Sequence, residues 1–417
     1  MGQTITEKVF SRCGGKTMYA GDEGIFYPDK IFAYDFPGFI EVFHKQCQDL
    51  GIHKVDHPEK VVFCIDHFVP AGSGALVQYH KATFDMAKEF GYEVMEGKGI
   101  GFQNLCERGY ALPGQLGVHF DGHVAMLGAC GFIAYTIDYS IIEALATQSF
   151  GDKIPETVRV DVVGEMGKGI SARDAFNYML RDLGPGGAIN CIVEFGGDGL
   201  KNLNMDDRMT FGNLIMFVGG LSAVFEQDEV TMDFFKKYNI ECKETIKSDG
   251  DAKFLKRYTL DLSKVEPMLV APPTPAGAID IKDKLGMDVH VGMVSSCACG
   301  RVTDFEQMAE ILDGKHVAPG FKLYGVPAST TVQAEIAASG VMEKLIRAGV
   351  MMNYPSCDFC NGNLGVPLDG EVALSTATLN VPGRMGNKNV EIYHASPYTI
   401  AATALTGKLT DPRTLLK

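Results

Sequence analysis

Residues 60–91 read KVVFCIDHFVPAGSGALVQYHKATFDMAKEFG. The run KVVFCID is rich in β-branched side chains, which predicts a buried strand. Residues 77–91 have helical spacing and stop at Gly91, a residue suited to the left-handed turn that closes a helix. Strand, loop and helix in this order form one unit of a parallel sheet. The pattern repeats outward. PETVRVDVVG (155–164) predicts a strand, and SARDAFNYMLRDLG (171–184) a helix from a Ser171 cap to Gly184. VHVGMVSS (289–296) and KLYGVPAS (322–329) predict strands, while 305–314 and QAEIAASGVMEKLIRAGV (333–350) predict helices. The fold class is therefore α/β, in three layered α/β/α units expected at 1–155, 156–272 and 273–417. Pro272, Pro273 and Pro275 mark the expected linker before the third.

The chain has 417 residues, with 38 Lys and Arg against 52 Asp and Glu, a net charge of −14. That balance argues against nucleic acid and against an anionic membrane surface as partners. No run of 18 apolar residues predicts a membrane span. The opening MGQTITEKVFSR is charged early and does not read as a signal peptide. Eleven cysteines, an odd number, fit a reducing compartment, so a cytoplasmic protein with free thiols is expected.

Four of those cysteines are grouped. VSSCACGR places Cys297 and Cys299 after an apolar run, and YPSCDFCNGN places Cys357 and Cys360 as C-x-x-C some 60 residues later. Four thiolates can hold structural zinc, although C-x-C is an unusual half of such a site. Three thiolates and an open position can hold a [4Fe–4S] cluster with one exposed iron. Buried unligated thiols are the third reading. Spacing alone does not decide between them.

An ordered series of segments resembles the large subunit of 3-isopropylmalate dehydratase and, more broadly, the aconitase superfamily. The series comprises MGQTITEKVFSRCGGK (1–16), KVVFCIDHFVPA (60–71), ALPGQLGVHFDGHVAMLGACG (111–131) and IPETVRVDVVGEMGKGISARD (154–174). It continues through SSCACGRVTDFEQMAEIL (295–312), PSCDFCNGNLGV (355–366) and LSTATLNVPGRMG (374–386). The resemblance implies three layered domains around an iron–sulfur cleft, with Cys297, Cys357 and Cys360 as ligands of one [4Fe–4S] cluster and Cys299 as a neighbour. The implied activity is that of a hydro-lyase, which adds or removes water on a hydroxy carboxylic acid. By resemblance, Asp66 and His67 form the acid pair, Asp121 and His123 a second catalytic pair, Arg384 grips a substrate carboxylate, and Asp35 and Asn213 stand near substrate and cluster. An arginine is apt because its planar fork binds carboxylate bidentately. The family's mobile fourth domain is expected on a separate small subunit, without which turnover should be poor.

Several positions depart from the family pattern. Phe102 stands in place of His, Phe217 in place of Glu and Leu379 in place of Arg, while Tyr34, Phe36, Pro37 and Phe39 replace a polar loop. The lost His and Glu are the family's partners for Asp121 and His123, so this pocket must pair them differently. Stranding a buried charge costs about 3–5 kcal/mol. The changes predict a pocket suited to a more apolar substrate than is usual for 3-isopropylmalate dehydratase. The alternative is a non-catalytic iron–sulfur scaffold derived from the same family.

Overall fold

In a computed structural model describing residues 2–35 and 39–416, three large sheets organise the chain, beside a two-stranded one of Glu23–Phe26 and Phe150–Lys153. The first has five parallel strands in the order Glu93–Glu96, Val61–Ile65, Lys30–Tyr34, Leu116–His119 and Ile133–Thr136. The chain winds outward from Lys30–Tyr34 in one direction, then restarts beside it at Leu116–His119 and winds the other way. Connections leave these two central strands toward opposite edges, which opens a crevice beyond their carboxyl ends. Ligands of open α/β sheets bind at such a switch point. Every residue of Val61–Ile65 is buried, which is why the strand reads as an unbroken apolar run. The helix after it spans Gly74–Phe90, with Ser73 accepting the Leu76 N–H and Gly91 closing it at φ 81°.

The second sheet has four parallel strands in the order Ser222–Phe225, Cys191–Gly196, Glu156–Val163 and Lys256–Asp261. The helix Ala172–Leu183 packs beside it, capped by Ser171 in a capping box with Asp174. The third sheet has seven strands, ordered Ala278–Asp280, Met268–Val270, Glu391–His394, Val372–Ser375, Val291–Val294, Lys322–Gly325 and Met351–Met352. The last five are mutually parallel, and Met268–Val270 is antiparallel to both its neighbours. The proline-rich stretch is thus the turn of a hairpin inside the third sheet rather than a linker before it. Prolines cannot donate to a ladder, but a turn tolerates them. The helical pattern over 333–350 is two helices, Thr330–Ala338 and Val341–Ala348, separated at Gly340 with φ 80°.

The first two sheets are joined through the tight helical segment Gly122–Cys130, whose residues from His123 onward are all buried. A Cβ on Gly128 would lie 2.1 Å from the Ala223 carbonyl oxygen, and one on Gly212 2.8 Å from that of Ala125. Two glycines therefore let backbone meet backbone on both sides of this segment. Among the described residues, no helix is long and apolar enough to cross a membrane.

Gly128→Ala should force the segment off the strand Ser222–Phe225. A loss of about 1–3 kcal/mol is expected from overpacking, measured by urea unfolding; an unchanged midpoint and slope would contradict this account of the contact.

Candidate active site

The strand ends of the first sheet deliver Tyr34, Asp66, His67, Asp121 and His123 to one cavity of about 100 Å³. Ile100 and Phe102 come from the start of the helix Gly101–Glu107. The third unit closes the cavity with Cys297, Cys357, Cys360, Thr378, Leu379 and Arg384. The sequence segments expected to meet are therefore together, although they lie up to 350 residues apart (384 − 34 = 350).

Asp66 Oδ1 lies 2.8 Å from His67 Nδ1, and both side chains are about 6% exposed. The other Asp66 oxygen accepts the Gly101 N–H at 2.8 Å. Gly101 must be glycine here, because a Cβ would sit 2.6 Å from that of Cys64. Burial alone would push the His67 ring down, but the Asp66 and Asp35 carboxylates outweigh it and raise its pKa to about 10. The ring is therefore an imidazolium at neutral pH. With Nδ1 held by Asp66, Nε2 is the second nitrogen that carries a proton in the imidazolium.

Asp35 does not line the cavity. Its buried carboxylate accepts the N–H groups of Asp66 at 3.0 Å and His67 at 3.3 Å, and it lies 3.4 Å from His80 Nε2. Rather than meeting substrate, it holds the turn that carries the acid pair. Among the described residues, Asp35, Asp66 and His67 form a group whose ligand atoms come within 4.8 Å of one another. Those atoms already bond each other and backbone N–H groups, which is the arrangement of an ion pair rather than a metal site.

The second pair has found new partners. The Tyr34 hydroxyl donates to Asp121 Oδ2 at 2.6 Å, and the His123 N–H donates to Oδ1 at 2.6 Å. Despite burial, the nearby His123 and His119 rings and the Tyr34 hydroxyl keep the Asp121 carboxyl below its usual pKa. His123 Nδ1 lies 3.0 Å from the Asn213 carbonyl oxygen. A carbonyl only accepts, so Nδ1 carries the proton and Nε2 is left toward the cavity. Phe217 packs edge-on against His123, with centroids 6.0 Å apart, and does not line the cavity. The Asn213 side chain is also behind the wall, with its amide beside the Cys297 thiol. Phe102 and Leu379 do line the cavity. Phe36 and Pro37 lie outside the described residues.

The thiols approach from two loops. Cys297 follows the strand Val291–Val294, with Ser296 at φ 83° turning the chain toward the cavity. Arg384 donates to Cys360 Sγ at 3.3 Å. The neighbouring Cys357 thiol and that guanidinium hold Cys360 well below the usual thiol range. Cys299 is buried and absent from the cavity wall, lying near Arg173 and Arg301. A four-thiolate zinc site on this wall is thereby disfavoured. Three thiols and a cation around one space suit a polynuclear centre with an open corner.

Thiols fit for a soft metal centre and a buried histidine–carboxylate pair thus line one cavity. Residues 44–407 match the aconitase family (aconitate hydratase). The chain is 33% identical to the 3-isopropylmalate dehydratase large subunit 1 of Methanopyrus kandleri over 422 aligned residues, covering 100% of both chains. It is 32% identical to the corresponding subunit 1 of Pyrococcus furiosus, again over 100% of both. A solved structure of Thermococcus kodakaraensis aconitase X in its holo form shares the fold, with a TM-score of 0.50 at 13% identity over 90% of this chain and 89% of that one. The chain belongs to the aconitase family. It is, accordingly, a hydro-lyase of the type its large-subunit relatives represent.

The raised pKa of His67 fixes the sign of a pH effect. Its pairing stabilises the fold fully below pH 6.5 and is lost as pH rises through about 10. An acid role for the ring gives activity the same alkaline limb. Asp66→Asn should move that limb down by about one unit or more, read from kcat/KM against pH; an unmoved limb would show that His67 is not the acid.

Proposed function

We propose that this chain is the catalytic large subunit of a [4Fe–4S]-dependent hydro-lyase acting on a hydroxy carboxylic acid with an apolar arm. The observation that carries the reading is the charged Asp66–His67 pair set across one small cavity from Cys297, Cys357, Cys360 and Arg384. These three cysteines would hold the cluster, which when bound supplies a Lewis-acidic iron for the substrate's oxygen atoms.

The chain's own residues supply most of the rest. His67 holds a proton on Nε2 and gives it to the departing hydroxyl as the C–O bond breaks, while Asp66 keeps the ring in register and offsets its charge; the proton lost from the neighbouring carbon as the double bond forms goes to a base supplied by the separate small subunit. In the hydration direction the same nitrogen takes the proton back from water. Arg384 has its Nε buried without a protein partner, and its fork is placed to take a substrate carboxylate. His123, with its proton fixed on Nδ1, offers Nε2 as an acceptor. Tyr34 donates to Asp121 and, with the His123 and His119 rings, favours its ionised form.

Ile100, Phe102 and Leu379 give the cavity an apolar side. Arg384 is the lone Lys or Arg among its lining residues. An additional substrate carboxylate would meet no second guanidinium or ammonium there, whereas an alkyl or aryl arm would be matched. This supports a substrate less polar than a compact tricarboxylate. The relatives are named large subunits, which supports a separate small subunit completing the site. Exposed Leu364, Val366 and Val381 flank the cysteine and arginine loops and offer it apolar surface.

Anaerobic preparations should be brown and hold about four irons per chain. Cys360→Ser should abolish both the colour and water addition. A panel of hydroxy acids and their alkenes, assayed with the co-expressed small subunit, should show turnover of a substituted malate-type acid in preference to citrate. A loaded complex inactive on the whole panel would favour the scaffold reading.

Leu379→Arg restores a cation to the wall. It should shift kcat/KM toward the more carboxylated member of a substrate pair by about tenfold or more, and no shift would contradict the assignment of this wall to the substrate arm.

A further inference from the structure

The first of the two residues between Cys357 and Cys360 is an aspartate that is 2% exposed. Asp358 does not line the cavity. Its carboxylate reaches from the third unit into the first, where Oδ1 accepts the Phe68 N–H at 2.7 Å and Oδ2 the Val69 N–H at 3.1 Å. Asn363 donates to the same Oδ1 at 3.0 Å. One residue earlier, the Cys357 N–H donates to the Asp66 carbonyl at 2.8 Å. The cysteine loop and the turn after the acid histidine are therefore stitched together by three hydrogen bonds across a unit boundary.

The turn needs holding. Phe68 sits at φ 54°, a left-handed conformation for a residue with a full side chain. Such strain persists only where the surroundings over-determine it. Asp358 takes both N–H groups that this conformation presents side by side, one on each oxygen. Asp35 performs the matching task one step upstream, on the N–H groups of Asp66 and His67. Four consecutive N–H groups, from Asp66 to Val69, are thus fixed by two buried carboxylates, one from each unit.

We infer that Asp358 is a positioning residue of the hydration reaction, which ties the cysteine loop to the His67 turn so that the proton donor and the thiols keep one fixed geometry. The inference deepens the function proposed above and rests on it. Proton transfer to a departing hydroxyl is sensitive to displacement, and a 1 Å error can cost about 100-fold. A carboxylate is suited because two oxygens serve two adjacent donors at once. Asparagine would keep one acceptor and set a second donor against the Val69 N–H, and alanine would leave both N–H groups without an acceptor.

The test uses the loaded complex of large and small subunits, with iron content, steady-state kinetics and amide exchange of the peptide spanning 66–72 measured together. Asp358→Ala should keep its iron and leave KM within about threefold, while kcat falls about tenfold or more and the peptide exchanges faster. Asp358→Asn should fall between it and the parent in both kcat and exchange. A loaded Asp358→Ala protein with unchanged kcat or unchanged exchange overturns the inference. If the alanine variant fails to load, the asparagine variant decides, and parent-like kcat and exchange in it overturn the inference equally. Failure of the parent complex to bind iron or hydrate any substrate would instead sink the proposed function, since exchange of 66–72 in the unmodified chain and the two variants still reports on the clamp by itself.

Discussion

A charged imidazole stays buried only with a carboxylate against it, and the Asp66–His67 pair meets that condition at the crevice of the first sheet. Much of the nearby architecture serves this pair. The strand Val61–Ile65 brings it to the switch point, Gly101 leaves room for its hydrogen bond to backbone, and Asp35 binds the turn from beneath. Removing one charge would leave the other uncompensated in a poorly solvated place, which is why such pairs are costly to break singly. The proton on Nε2 is the useful product of this arrangement, because a histidine in water would have surrendered most of it by neutral pH.

The second pair shows how a site absorbs lost polar partners. With Phe102 and Phe217 in place of groups that would bond Asp121 and His123, the structure recruits the Tyr34 hydroxyl and the Asn213 carbonyl. Neither substitute is charged. Each still meets the hydrogen-bonding need of the buried group, and the aromatic rings fill the remaining volume. Tyr34 does both, since its ring also packs at a tilt against His67 and Phe120, at 5.3 and 4.9 Å between centroids.

Local pattern made much of this visible in the sequence. A β-branched run, helical spacing and closing glycines were enough to predict layered α/β units, while the pairing of Asp66 with His67 came from the family resemblance. The cysteines were recognisable as a group because two loops with unusual spacing each followed an apolar run. What stayed hidden depends on where side chains point after folding. Asp35 reads as a substrate contact because it lies in the right loop, but its carboxylate turns inward to meet backbone donors. Tyr34 reads as a loss of polarity, yet its hydroxyl is the polar atom that matters. The prolines at 272–275 read as a break between units because a hairpin turn and a linker share one composition.

The contacts at Gly128 and Gly212 bear on how this molecule can breathe. Where main chain rests directly on main chain, no side-chain rotamers remain to absorb sliding, so the first and second sheets behave as a single anvil that carries His67, Asp121 and His123. Asp358 ties the cysteine loop of the third unit to the same body, so access for a substrate falls to whatever protein covers the mouth.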